Sequence, residues 1–126
     1  MIKFSEEHVW LRVSDPKQPH LATLGITDHA QETLGDIVFV ELPEMGKILS
    51  ARSVAAVVES VKAAADVFMP ATGTVIEVNE SLRQDPSLAN SQALGAGWFA
   101  KVSLAELSEL DLLMDEATYT EFLKSV

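Results

Sequence analysis

Cysteine is absent from the 126 residues. Disulfide frameworks, thiolate metal sites and cysteine nucleophiles are excluded together, so any redox chemistry must come from an attached group. Basic residues are scarce: 9 Lys and Arg face 19 Asp and Glu, for a formal net charge of −10. A surface of that sign repels phosphate backbones and anionic lipid, so neither nucleic acid nor membrane is an expected partner. The opening MIKFSEEHVW holds no long apolar run, and no signal peptide or membrane span is visible there. A cytoplasmic location is expected, or the mitochondrial matrix for an organellar protein without its transit peptide. Composition is otherwise ordinary, 48% hydrophobic and 22% charged. That supports one core, and residues 1–126 are read as a single domain.

Short runs rich in Val, Ile, Phe or Trp, bounded by Gly, Pro, Asp or Asn, fill the first hundred residues: Val9–Val13, His20–Leu24, Ile37–Leu42, Val54–Val58, Val67–Met69, Thr74–Val78 and Trp98–Val102. They predict strands, and their spacing predicts a sandwich or barrel. Thr27 to Gly35 has a Thr cap, an acidic first turn and a Gly stop, so it predicts one short helix. Leu104, Leu107 and Leu110, then Tyr119, Phe122 and Leu123, show helical spacing and predict one or two amphipathic helices closing the open end of the sheet. Gly35-Asp36-Ile37-Val38-Phe39-Val40-Glu41 is echoed by Gly73-Thr74-Val75-Ile76-Glu77-Val78-Asn79. Such an echo either marks pseudo-symmetric halves with a protruding hairpin between them or is a chance likeness of two amphipathic strands.

Between the copies, Ser53 to Pro70 is apolar except for Glu59, Lys62 and Asp66 among its charged residues. The cluster Glu59-Ser60-Val61-Lys62 predicts a turn that returns the chain, with Lys62 at or beside the tip. A lysine there, flanked by small residues, offers its amine to a modifying enzyme without unfolding. By themselves the residues favour an ordinary solvated lysine closing a turn, and composition does not show modification. Trp10, Phe39 and Trp98 are read as core anchors, and Gly73 as permitting a tight turn or bulge. His8, His20 and His29 form no close metal-ligand pair and are read as surface or capping residues. Gly95-Ala96-Gly97 lacks the context of a dinucleotide loop, and no nucleophile and base pair can be named.

Five separated blocks, in order and over nearly the whole chain, carry a more specific signal: His8-Val9-Trp10, Gly25 to Gln31, Leu34 to Pro43, Val58 to Asp66, and Pro70 through Gly73, Glu77-Val78-Asn79, Leu82 and Pro86 to Gly97-Trp98. Together they resemble the glycine-cleavage H proteins. The resemblance implies a mainly β barrel-sandwich hybrid with a short helix in the N-terminal half and C-terminal helices. It implies lipoate in amide linkage on Lys62, with Glu59, Ser60, Val61, Ala63 and Asp66 as the recognition residues around the attachment site. The implied role is a non-catalytic carrier. Its arm takes an aminomethyl group at the P protein (glycine decarboxylase), gives up the one-carbon unit at the T protein (aminomethyltransferase), and is reoxidised by the L protein (dihydrolipoyl dehydrogenase). A lipoate ligase or lipoyl/octanoyl transferase is implied as the enzyme that loads it.

Two departures from the family pattern stand out. Val9 replaces a usual Glu between the His and the Trp, and Ala93-Leu94-Gly95-Ala96 replaces an aromatic-containing, acidic element. The resemblance places both near where a loaded arm rests. They leave open an alternative, an H-like paralogue serving lipoate relay or a redox process outside glycine cleavage. A biotinyl carrier is disfavoured, because Val61 and Ala63 stand where biotin acceptors usually have methionines.

Overall fold

A computed structural model describes residues 1–126. In chain order its strands are β1 (Ile2–Phe4), β2 (Val9–Arg12), β3 (Leu21–Ile26), β4 (Ile37–Glu41), β5 (Ile48–Leu49), β6 (Val54–Ser60), β7 (Ala64–Phe68), β8 (Gly73–Val78) and β9 (Ala100–Leu104). They form two antiparallel sheets, one ordered β1-β2-β3-β9-β8-β5 and the other β4-β6-β7. Because strand side chains alternate between faces, each sheet turns one row of Val, Leu and Ile toward the other. Leu24, Ile26, Val75 and Val102 of the larger sheet share one buried cluster with Val40, Val58 and Val67 of the smaller. Each such side chain contributes roughly 1.5–3 kcal/mol by leaving water. This is the mainly β, barrel-sandwich architecture that the sequence implies.

The helices are short: α1 (Asp28–Leu34), α2 (Ser81–Gln84), α3 (Leu88–Ser91) and α4 (Glu116–Leu123), with a 3-10 turn at Leu107–Leu112. Helix α1 follows the expected signals. Thr27 accepts from Ala30 N at 3.3 Å, and Gly35, at φ +79°, ends it. Asp115 caps α4 by accepting from Thr118 N at 2.8 Å. Helix α4 lays Tyr119 on Phe4, ring centroids 4.5 Å apart, beside Trp10 in a second, smaller core. No helix is long and apolar enough to cross a membrane.

Several local expectations need correction. Strands β1 and β5 and helices α2 and α3 were not predicted, since three, two, four and four residues carry too little periodic signal to read. Strand β9 begins at Ala100, so Trp98 precedes it. Trp10 is fully buried and Trp98 partly so, but Phe39 is no core anchor, being 50% exposed. A register shift between Ile37 and Phe39 turns both Val38 and Phe39 outward. Gly73 enters no turn. A Cβ there would stand 2.9 Å from Ser103 O of neighbouring β9, so glycine permits close backbone approach, and the register shift of β8 lies further on, between Val75 and Glu77.

Candidate functional site

The hairpin from β6 to β7 turns at Ser60–Ala63, and Ser60 builds the turn. Its backbone N donates to Ala63 O at 2.8 Å, while its Oγ accepts from Lys62 N and Ala63 N, each at 3.2 Å. A short hydroxyl side chain that bonds its own following backbone is the usual means of pinning such a turn. Val61 and Lys62 occupy the two central positions, and Val61, Lys62, Ala63 and Ala64 are all exposed. The tip is also tied to the rest of the molecule, because Val61 N donates to Asp36 O at 3.0 Å.

That anchor is itself clamped. Asn90 Nδ2 donates to Gly35 O at 2.9 Å, and Asn90 Oδ1 accepts from Ile37 N at 2.9 Å, fixing the loop between α1 and β4. The Lys62 side chain leans over Gly35: a methyl group at that glycine would lie 3.3 Å from Lys62 Cε and 3.8 Å from Nζ. Gly35 therefore serves twice, by adopting φ +79° and by leaving room for the lysine.

Leu34, the neighbour of Gly35, is in the wall of a cleft of about 230 Å³ lined also by Glu7, His8, Val9, Ile26, His29, Ala30, Thr33, Ala65, Asp66 and Val67. Val9, Ile26 and Val67 give it an apolar floor, and Glu7 supplies an exposed carboxylate, while Asp66, next to inward Val67, turns its side chain to the opposite face of β7. Arg52 holds Glu7 at 3.1 Å. His8 stacks near His29, centroids 4.4 Å apart, and its Nδ1 lies 2.7 Å from Tyr119 Oη, which in turn lies 2.8 Å from Thr27 Oγ1. Burial, then the charge of nearby His29, lowers the His8 pKa from its ordinary value, and burial raises that of Tyr119. A neutral His8 is thereby favoured at pH 7.

Over residues 2–126 the chain matches the sequence model of the family described as glycine cleavage H-protein. The chain belongs to the glycine cleavage H-protein family. It is 54% identical over 125 residues to the glycine cleavage system H protein of Parvibaculum lavamentivorans, covering 99% of this chain and 97% of that one. It is 52% identical over 119 residues to that of Rhodospirillum rubrum, covering 94% and 92%. Among solved structures it resembles the crystal structure of a glycine cleavage system H protein from Mycobacterium marinum, with a TM-score of 0.87, 31% identity and 99% and 97% coverage.

Within this H-protein family member the residues expected around the attachment site divide. Ser60, Val61, Lys62 and Ala63 form the turn, whereas Glu59 pairs with Ala64 and Phe39 below it, and Asp66 pairs with Val57 two residues further down. Val9 lines the cleft but is only 1% exposed. Ala93–Ala96 does not line the cleft. Its carbonyls at Ala93, Leu94 and Ala96 instead accept from Trp10 Nε1, Arg12 and Asn79 Nδ2. Sequence reading missed Glu7, and it missed the joining of His8 to His29 and Tyr119. Residues 8 and 119 are far apart in the chain, and no local pattern announces such a contact.

Proposed function

We propose that the chain is the lipoyl carrier of glycine cleavage, holding lipoate in amide linkage on Lys62 and presenting it to the P, T and L proteins. The observation that carries this reading is the position of Lys62, exposed on a two-residue turn that Ser60 and Asp36 hold fixed, in a chain of this family. The residues present fit the group. An accessible primary amine stands beside a cleft whose apolar floor and Glu7 carboxylate suit a thioether chain ending in an amine. When bound, lipoate supplies a disulfide that takes up a carbon unit and is returned from its dithiol form.

The chain's own residues contribute position. Ser60 fixes the direction in which Lys62 leaves the turn, and Gly35 leaves its side chain room to lie toward the cleft. Glu7 favours a protonated amine brought into the cleft, through a charge-assisted hydrogen bond of roughly 1.5–3 kcal/mol when well formed. Val9, lacking a carboxylate, contributes only apolar surface. Neutral His8 adds no competing positive charge. The bonds made and broken in the reaction belong to the partner enzymes.

The substitution at Val9 keeps the alternative alive, an H-like carrier serving lipoate relay or a redox process outside glycine cleavage. A reconstituted assay separates the two. Lipoylated wild type, combined with P, T and L proteins, is expected to support glycine-dependent release of carbon dioxide, and Lys62→Arg none, because a guanidinium accepts no acyl group. A lipoylated wild type inert with all three enzymes, yet able to pass its lipoyl group to another acceptor, would establish the alternative.

A further inference from the structure

Phe39 needs an explanation that the fold does not supply. Cross-strand partners share a face, so Phe39, Glu59 and Ala64 form one outward row across β4, β6 and β7, and Glu41, Val57 and Asp66 form the next. The row between them, Val40, Val58 and Ala65, faces the core. The outer face of the small sheet thus presents an aromatic ring, 50% exposed, among Glu41, Glu59 and Asp66, with no Lys or Arg in either row. Val38 and Val61, 55% and 67% exposed, extend its apolar surface toward the tip.

The molecule carries its own control. Strand β8 has the same burial sequence from Val75 to Val78 as β4 from Ile37 to Val40, and the same register shift two residues after its glycine. At the position equivalent to Phe39 it has Glu77, paired with Lys101 at 3.8 Å. A bulged strand of this shape is satisfied there by a charged outward residue. The ring at position 39 is therefore not required by the bulge.

We propose that the outer face of the small sheet, centred on Phe39 and framed by Glu41, Glu59 and Asp66, docks the enzyme that acylates Lys62, a protein presenting an apolar socket ringed by Lys and Arg. The inference rests on Lys62 being the attachment residue. Two arguments select this occupant. An enzyme that forms a bond to Nζ must press its active site on the turn, and Phe39 pairs with Glu59, the residue before that turn, three residues and at most about 10 Å of chain from Lys62. A standard footprint of about 800 Å² per partner, centred on Lys62, reaches about 16 Å in every direction and covers Phe39. Charge supplies the second argument, since the carboxylates steer and orient a basic rim while an aromatic anchor supplies affinity. In the step served, Nζ attacks the carbonyl of a lipoyl-adenylate. The amide bond forms, the bond from that carbonyl to the phosphate oxygen breaks, AMP leaves, and the amine loses a proton to solvent.

The test is the rate at which purified lipoate ligase, given lipoate and ATP, modifies the full chain at substrate concentrations below and above KM. Phe39→Thr is expected to lower kcat/KM about tenfold, through KM rather than kcat, with an unchanged unfolding midpoint. Phe39→Leu is expected to recover part of the loss, and Ile76→Thr, the equivalent outward surface on β8, to have no effect. Glu41→Gln with Glu59→Gln is expected to raise KM and flatten its dependence on salt. Wild-type kinetics in Phe39→Thr, or equal losses in Phe39→Thr and Ile76→Thr, would overturn the docking surface. Failure of the wild type itself to be modified at Lys62 would instead remove the attachment reading beneath it.

Discussion

Strands β4 and β8 are two solutions to one backbone problem. β8 begins at Gly73 and β4 two residues after Gly35; each buries two apolar residues and turns a pair outward through a register shift, Val38 and Phe39 in one and Ile76 and Glu77 in the other. Their inward residues join the same core. The outward ones differ in kind: Glu77 meets Lys101, as a surface strand ordinarily does, whereas Phe39 stands unpaired by charge beside the hairpin that carries Lys62. Where two segments share a shape, what the shape requires is common to both, and what differs belongs to the work done there.

The comparison breaks first if the inward rows are unequal. Val40→Asp and Val78→Asp each bury a carboxylate in the shared core, and each is expected to cost about 4 kcal/mol or more. Urea unfolding midpoints check this, and a tolerated aspartate in either strand would show that its inward row is not core.

The glycines sharpen the contrast at about 1–3 kcal/mol apiece. Gly35→Ala strains a backbone at φ +79° and pushes on Lys62, so it is expected to lower stability and also slow loading of the lysine. Gly73→Ala forces β8 from β9 and is expected to cost stability alone. Thermal unfolding combined with loading rates distinguishes them.

The smallest expected effect lies at the cleft. Because the folded His8 pKa is lowered, the unfolded chain binds this proton first as pH falls through about 6.5. Stability then declines until pH passes below the folded value, where the contribution levels off. His8→Asn retains a residue that tolerates the positive φ of this position, and is expected to flatten the slope of unfolding midpoint against pH in that window.

Much of the fold could be read from the chain because its signals are local. Thr27 and Gly35 delimit α1, alternating Val and Ile mark the long strands, and the glycine-led echo marks β4 and β8 down to their shared bulge. The turn around Lys62 was legible for the same reason, Ser60 acting on residues two and three further on. What was not legible depends on distant partners. The outward turn of Phe39 follows from a register shift against β6, the clamp of Asn90 on Gly35 spans more than fifty residues, and the cleft assembles Glu7, His29 and Asp66 from separate elements. Alternation alone counts Phe39 as core, because a bulge resets the alternation without altering composition.

The central claim is that the turn, and not lysine accessibility in general, selects the attachment residue. Peptide mapping by mass spectrometry after incubation with lipoate ligase, lipoate and ATP tests it most directly, comparing wild type with a double variant, Val61→Lys in a Lys62→Val background. The account predicts one lipoyl group on Lys62 of the wild type and loading of the displaced amine slower by at least about a hundredfold, the factor expected when a reacting group is misplaced by the order of an ångström. Loading of the double variant at the wild-type rate, or a lipoyl group on any other lysine of the wild type, would contradict it.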